Sequence, residues 1–457
     1  MTTPVTSAPP DSETATAVQN TGARRRLTLD RDVEVCVIGA GLAGLTAALE
    51  LSRKGMSVAV LEGRHVGWGA SGRPLGTVMP GYGLPVNDII ARVGFDNARE
   101  MWALSRQGAN YVRHIADKIG PELELSYGAL EVSNVDIGDR LIGRLQMLGE
   151  DFGTEVEGWQ VDHVRDVLRT RRYFHAVHYP GAFQIDGSKY LHGLAAQAEA
   201  AGARIYEETP ALSIDAAGIR KRIVTPAARM RASHIVLAGN VYLGGPSQRL
   251  TDTLLPVWRY AAVSEPLGDR LAEVISFQGS VMDTDDIDHF RIVDGDRLMW
   301  AGPETTWSAN PQRFAAAIRR RIRTVFPALG RVELADVWSG VVGQTVHGMP
   351  QIGQLRRGLW VASGFGRQGM SATALAGQLI ANGILWRDDR WRLFSPFELV
   401  WAGGRAGRVA GKAVDVWTRG GAAAAGALAR WRERAAIREA AREARLAAAN
   451  RQAGTGH

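Results

Sequence analysis

Apolar positions recur along this chain in two rhythms. "DVEVCVIGA" at 32–40 alternates and then becomes continuously apolar, which predicts a strand. Residues 42–53 place Leu42, Leu45, Ala48 and Leu49 on one side of a helix, and Gly55 ends it. "SVAVLE" at 57–62 predicts the next strand, completing a β-α-β unit. Helical spacing returns over 96–119, through Trp102, Tyr111, Val112 and Ile115, and over 311–326, through Phe314, Ile318, Ile322 and Val325. Residues 140–170 are mixed and helical in part.

A second β-α-β-like unit is expected over 187–240: a helix at 188–201, then "ARIYEET" and "HIVLAGN" as strands. Residues 256–307 read as several strands, among them "VWRYAAVSEPL" and "FRIVDGDRLMWAG". Residues 359–385 read as strand, Gly-rich loop and helix. The dinucleotide-type segments therefore lie at the start, middle and end of the chain, with β-rich material between them. That order predicts two interleaved domains. One is built from 31–84, 181–250 and 343–402, and the other from 85–180 and 251–342. The polar, Pro/Thr/Ser-rich residues 1–30 read as a disordered lead-in, and 403–457 as an Ala/Arg-rich helical tail.

The 457 residues allow a large core. No apolar run reaches the length of a membrane span. The N-terminus has no hydrophobic h-region, so no signal peptide is expected. The lone cysteine, Cys36, excludes an intrachain disulfide and suits a reducing compartment, so a cytoplasmic location is expected. Net charge is +7, almost all from arginine, since the lysines are only Lys54, Lys118, Lys189, Lys221 and Lys412. The charge is dispersed everywhere but the tail, so no nucleic-acid partner is expected. The tail reads either as a basic helix on an anionic membrane surface or as a solvated helix, the second being favoured.

Candidate chemistry begins at "CVIGAGLAGLT". Gly39, Gly41 and Gly44 follow a predicted strand and open a helix, the context in which such a loop cradles a pyrophosphate. The helix N-terminus offers unpaired N–H groups and a partial positive charge. Glu62, at the end of the next strand, is placed to accept hydrogen bonds from ribose hydroxyls. This loop alone fits NAD or FAD. "SGFGRQGM" at 363–370 makes a second helix N-terminus, of the kind that stabilises the anionic reduced flavin. "GASGR" at 69–73 adds further backbone N–H groups and Arg73.

With these motifs in order, the sequence resembles the D-amino-acid-oxidase-like FAD-dependent oxidoreductases, in particular the gamma-glutamylputrescine-oxidase branch. The resemblance covers roughly 32–410. It rests on "VIGAGLAGLTAALEL", "VAVLE", "VGWGASGR", "FQIDGSKYLHGLAAQAEAAGARIYEET", "IVLAGNVYLG", "PVWRYAAVSEPL", "FPALGRVELADVWSG" and "MPQIGQLRRGLWVASGFGRQGM". Where that branch continues "GASGR" with Asn-Gly-Gly, this chain has Pro74-Leu75-Gly76.

The resemblance implies an α/β fold. A Rossmann-like FAD-binding domain of the glutathione-reductase type would interleave with an α+β domain whose antiparallel sheet covers the flavin. It implies non-covalent FAD held by Gly39, Ala40, Gly41, Leu42, Ala43, Gly44, Glu62, Gly69, Ala70, Ser71, Gly72 and Arg73. Ala211, Ala238, Gly239, Gly364, Phe365, Gly366, Gly369 and Met370 complete that set. No metal is implied. The implied reaction is oxidation of a C–N bond in a small amine or amino acid. Hydride passes to flavin N5, the imine hydrolyses, and O2 or another acceptor reoxidises the flavin. Two other classes stay open from the residues: a tRNA-modification oxidoreductase, and an NAD-dependent dehydrogenase on a plain Rossmann fold.

Four side chains are candidates for the catalytic site. Arg291 alternates on a predicted strand and would pair with a substrate carboxylate, unless it is a surface charge. His289, two residues earlier, shares its face and would act as a base or as a structural hydrogen-bonder. Tyr260 would orient the amine or simply fill the core, with Trp258 and Trp338 as further apolar walls and Tyr82 near the flavin. His347, in "GQTVHGMPQIG", precedes the last flavin segment. No lysine falls between 222 and 411, so any cation that assists O2 there is an arginine or histidine; otherwise the enzyme is a dehydrogenase.

Overall fold

The computed structural model describes residues 24–284 and 288–402. The expectations for 1–23 and for the basic tail at 403–457 fall outside them. Residues 24–30, at the end of the lead-in, are anchored at two points: Arg24 pairs with Glu199 and Glu207, and Leu27 is buried with its N–H donated to Thr209.

The opening unit forms as its pattern dictates: β1 (Arg31–Ile38), α1 (Leu42–Arg53) and β2 (Val58–Leu61). There follow β3 (Thr77–Val78), α2 (Val86–Val93), α3 (Phe95–Ile119), β4 (Ser126–Val132), α4 (Gly138–Gln146), β5 (Glu157–Trp159), α5 (Val161–Leu168), β6 (Ala176–Gln184) and α6 (Gly187–Ala200). Next come β7 (Arg204–Tyr206), β8 (Ser213–Asp215), β9 (Lys221–Val224), β10 (Arg229–Leu237), the one-turn α7 (Gln248–Thr251) and β11 (Leu254–Ser264). The one-turn α8 (Asp269–Ala272), β12 (Ser280–Asp283), β13 (His289–Val293), β14 (Arg297–Thr305), α9 (Ala315–Val325), β15 (Leu334–Thr345), β16 (Gln351–Arg356), β17 (Leu359–Ser363) and α10 (Gly369–Trp386) complete the described chain.

Two sheets result. The first runs β16-β17-β10-β1-β2-β7, with β8 and β9 extending from β10. Its centre is parallel: β10, β1, β2 and β7 run together, and β17 joins β10 in the same sense. The continuous apolar runs of β1, β2 and β17 follow from this, because both faces of a parallel sheet are covered. One face carries α1, α6, α10 and α3 around a large core. The other packs Cys36, Ile38, Leu61, Ile223 and Met230 together.

The second sheet runs β15-β11-β14-β13-β12-β4-β6-β3, with β5 also on β6. It is antiparallel except where β12 meets β4, two strands with no hairpin between them to force opposite directions. Phe290, Ile292, Leu298 and Trp300 turn one face of β13 and β14 toward α9. The residues between them, His289 and Arg291, turn the other way.

The stretch over 187–240 is less uniform than its pattern suggests. The strand before α6, β6, belongs to the second sheet, and the strand after it, β7, sits at the edge of the first. Asp186 caps α6 by accepting from the N–H groups of Ser188 and Lys189. The helix therefore bridges the two sheets.

Candidate active site

The first glycine loop closes tightly. A Cβ on Gly44 would run into the Gly39 carbonyl oxygen, so only glycine lets α1 sit this close to β1. Gly41 is the N-cap and has no side-chain cap, and no acid lies in the first turn of α1. The helix N-terminus, with Leu42, Ala43 and Gly44 in its first turn, is thus left for an anion. Ser71 stands over it and accepts a hydrogen bond from the Leu42 N–H at 3.3 Å. Glu62 accepts from the N–H groups of Ala40 and Arg64, each at 2.9 Å. Burial raises its carboxyl above the usual range, and those two bonds oppose the rise.

A cavity of about 160 Å³ opens between the two sheets. One wall is Leu42, Ala70, Ser71 and Arg73, from the first loops. A second is Phe365, Gly366 and Arg367, from the loop before α10, with Gly369 and Met370 from the start of that helix. That helix also starts without a side-chain cap or an acid in its first turn. The sheet closes the third side with Arg259, Tyr260, His289 and Trp338. Pro74, Leu75, Gly76 and Thr77 line it too. Pro74 packs on Gly187, and Gly76, at φ +85°, has no room for a Cβ beside the Ile185 carbonyl.

Of the expected cofactor residues, Leu42, Ala70, Ser71, Arg73, Phe365, Gly366, Gly369 and Met370 line this cavity. Gly69 and Arg73 also line a smaller cleft with Trp68, Tyr242 and Trp258. Gly72 packs on Gly67, Ala238 and Gly239 lie against Gly39, and Gly364 lies against Thr345. Ala211 sits in the cluster on the far face of the first sheet.

The catalytic candidates divide. Tyr260 and His289 are on the cavity wall. The Tyr260 hydroxyl is held by Thr305 and by the Ala309 N–H. Arg291 stands one layer behind: it is 8% exposed, and a Cβ on Gly76 would lie 3.2 Å from its Nη2. Its Nη2 donates to the Ile185 carbonyl at 3.3 Å, and its buried Nε–H has no partner. Burial lowers the guanidinium's affinity for its proton, against the pull of Asp186, Glu124 and Asp294. His347 lies outside the cavity, in the turn between β15 and β16. There it accepts from the Met349 N–H and donates to the Glu398 carbonyl. Tyr82 is in the core, donating to the Met101 carbonyl.

Sequence reasoning named Arg259 as a fallback anion site but did not single out Thr77, Ser280 or Glu304. Thr77 hydrogen-bonds both His289 and Ser280, more than 200 positions away. Arg259 and Arg367 share the carboxylate of Glu304. The signal that leads to Glu304 is strand register, since Arg259 and Glu304 are direct cross-strand partners on β11 and β14. Burial, followed by the guanidiniums of Arg259, Arg291 and Arg367, pushes His289 down to about 3.

These features fit an adenine dinucleotide that carries a flavin. The uncapped α1 terminus and Glu62 suit its pyrophosphate and ribose, and the cavity beside the α10 terminus suits its ring system. Among the described residues no helix is long and apolar enough to cross a membrane. The chain is 28% identical over 376 residues to the probable oxidoreductase OrdL of Haemophilus influenzae, covering 80% of this chain and 86% of that one. It is 26% identical over 389 residues to gamma-glutamylputrescine oxidoreductase of Escherichia coli, covering 82% and 89%. Its fold matches the crystal structure of glycine oxidase from Geobacillus kaustophilus with a TM-score of 0.66 at 21% identity, over 81% of this chain and 98% of that one. Residues 34–382 match the family of FAD-dependent oxidoreductases known as DAO, and the chain belongs to it, as an oxidoreductase whose cofactor is FAD.

Proposed function

We propose that this enzyme oxidises the C–N bond of a small amine or amino acid, with the positive charge of Arg291, one layer behind the cavity wall, favouring a substrate carboxylate. The carrying observation is Arg291 itself: a buried guanidinium beside the cavity residues His289 and Gly76, with an unpartnered Nε–H. A buried cation of this kind calls for an anion. The names of two relatives point the same way, one to an amine and one to an amino acid.

Bound FAD supplies the hydride acceptor, and the imine left behind hydrolyses to a carbonyl compound and an amine or ammonia. The chain's own residues hold the reacting carbon in place. Tyr260 and Trp338 wall the cavity, and Pro74 and Leu75 exclude water from it. Arg259, Arg291 and Arg367 all bear on His289, so this end of the cavity disfavours an ammonium, and the amine binds neutral.

Anaerobic mixing of the holoenzyme with a panel of amines and N-alkyl amino acids tests the reading. Bleaching of the flavin bands by compounds with a C–H beside nitrogen is the expected result. A panel without a single reductant overturns it.

A further inference from the structure

Three strands bring a chain of polar side chains to the cavity wall. Ser280 begins β12, Thr77 begins β3, and His289 begins β13. Thr77 Oγ1 lies 2.5 Å from Ser280 Oγ and 3.0 Å from His289 Nε2. Ser280 is fully buried. Thr77 and His289 both line the cavity.

Proton bookkeeping gives this chain a direction. Each hydroxyl has one proton to donate, and a buried donor left without an acceptor is costly. If His289 donated from Nε2, one hydroxyl proton would be left over: either Thr77 donates onward and the buried Ser280 proton has no acceptor among the described residues, or Thr77 accepts from both neighbours and its own proton has none. In the opposite sense every proton is used: Ser280 donates to Thr77, and Thr77 donates to Nε2. The ring proton of a neutral imidazole then sits on Nδ1. That atom makes no hydrogen bond within the described protein and is not among the buried unpartnered atoms, so it keeps access to the cavity.

We propose that Ser280 and Thr77 hold His289 as its Nδ1–H tautomer, making it a neutral hydrogen-bond donor to a carboxylate or carbonyl oxygen of the substrate and not a base. The surroundings agree. Burial and the guanidiniums of Arg259 on β11, Arg291 on β13 and Arg367 in the loop before α10 all favour the neutral ring. Glu304 is engaged by Arg259 and Arg367. Asp288, the neighbour on β13's approach, is held by Tyr173 and Arg321. The donors around His289 suit a carboxylate or carbonyl oxygen, which narrows the substrate to a compound with a carboxyl or carboxamide group near the oxidised C–N bond. Thr77 and Ser280 are positioning residues acting through His289.

The inference rests on the cavity being the substrate site, but its test does not depend on turnover. Holoenzyme labelled with nitrogen-15 in histidine is read by long-range proton–nitrogen NMR at neutral pH, with His289 assigned by its loss in His289→Gln. The expected spectrum has a pyrrole-type Nδ1 and a pyridine-type Nε2. Acetate, as a carboxylate probe, should shift Nδ1 and its proton. Thr77→Val should move the ring toward the Nε2–H tautomer and weaken acetate binding several-fold, and Thr77→Ser should restore both. A wild-type ring protonated on Nε2, or on both nitrogens, overturns the proposal whether or not the variants fold. An unchanged tautomer in Thr77→Val also overturns it. If the amine panel fails while the tautomer is found, the function falls and this assignment stands.

Discussion

Arg367 and Glu304 form a two-pronged ion pair, Nε to Oε1 at 3.0 Å and Nη2 to Oε2 at 2.8 Å, that fastens the loop before α10 to strand β14. The side chains are 31% and 21% exposed, so solvent screens the pair and its coupling is expected to be about 0.5–1 kcal/mol. A double-mutant cycle of Glu304→Gln and Arg367→Gln, read by FAD affinity, checks this. Additive effects would mean that the pair does not brace the flavin loop.

Gly41 and Gly44 are expected to fail differently. Gly44→Ala forces a Cβ onto the Gly39 carbonyl and should abolish folding. At Gly41 the nearest protein atom to an added Cβ is Ser71 Oγ, at 3.1 Å, so Gly41→Val should leave a soluble protein whose branched side chain occupies the pyrophosphate's place. Comparing the flavin-to-protein absorbance ratio with circular dichroism separates the two outcomes. A yellow, folded Gly41→Val protein would show that the loop is only a corner.

FAD should leave the protein on acid precipitation. Cys36 is buried within β1, where its thiol is pushed far up by desolvation, so it offers no reactive anchor. A yellow supernatant over a white pellet is the expected result, and a yellow pellet means a covalent link.

Arg291→Ala should slow flavin reduction at low substrate about ten- to a hundredfold, the loss of a charge-assisted interaction of about 1.5–3 kcal/mol. Arg291→Lys should recover part of the rate, since an ammonium lacks the guanidinium fork. Rapid-mixing reduction by a substrate and by its carboxamide analogue supplies the control. Equal slowing with both compounds would make Arg291 structural. Loss of neither would move the anion site toward Arg259 or Arg73.

Stability should fall as the pH drops below about 6.5. His289 titrates near its ordinary value of 6.5 in the unfolded chain and only at about 3 in the folded protein. Above 6.5 both states are neutral and this residue contributes no pH dependence. Between the two values only the unfolded state takes up the proton, so acid favours unfolding. Urea melts between about pH 4 and 7 should show a shallower fall for His289→Gln than for wild type. Identical slopes would show that His289 is protonated freely in the folded protein.

The helical and continuous apolar patterns were enough to locate α1, α3, α6, α9 and α10 and the strands β1, β2, β7, β10, β11, β13, β14 and β17, because local periodicity decides those elements. Glu62 was legible for the same reason, as the residue directly after β2, which follows the glycine loop and its helix. His289 and Arg291 were readable as sharing a face, but their depth was not. Whether a residue lines a cavity or stands behind Gly76 depends on β3, a two-residue strand with almost no pattern of its own. Thr77 and Ser280 carried no signal, since their partnership exists only once β3 and β12 meet β13. His347 had the expected neighbours in sequence, yet its ring nitrogens are taken by the Met349 N–H in the β15–β16 turn and by the Glu398 carbonyl beyond α10.

The first sheet sets β10 between β1 and β17, so strands from the two ends of the described chain are separated by a single strand from its middle. During synthesis the ribosome releases β1 and β2 first, and β17 only on the order of tens of seconds later. Until β10 emerges, the apolar run Val35–Ile38 has β2 on one edge and nothing on the other. Until β17 and α10 emerge, the flavin's second glycine loop does not exist. The cofactor can therefore be captured only after nearly the whole described chain has left the ribosome, and until β10 emerges the nascent protein carries an unpaired apolar strand edge.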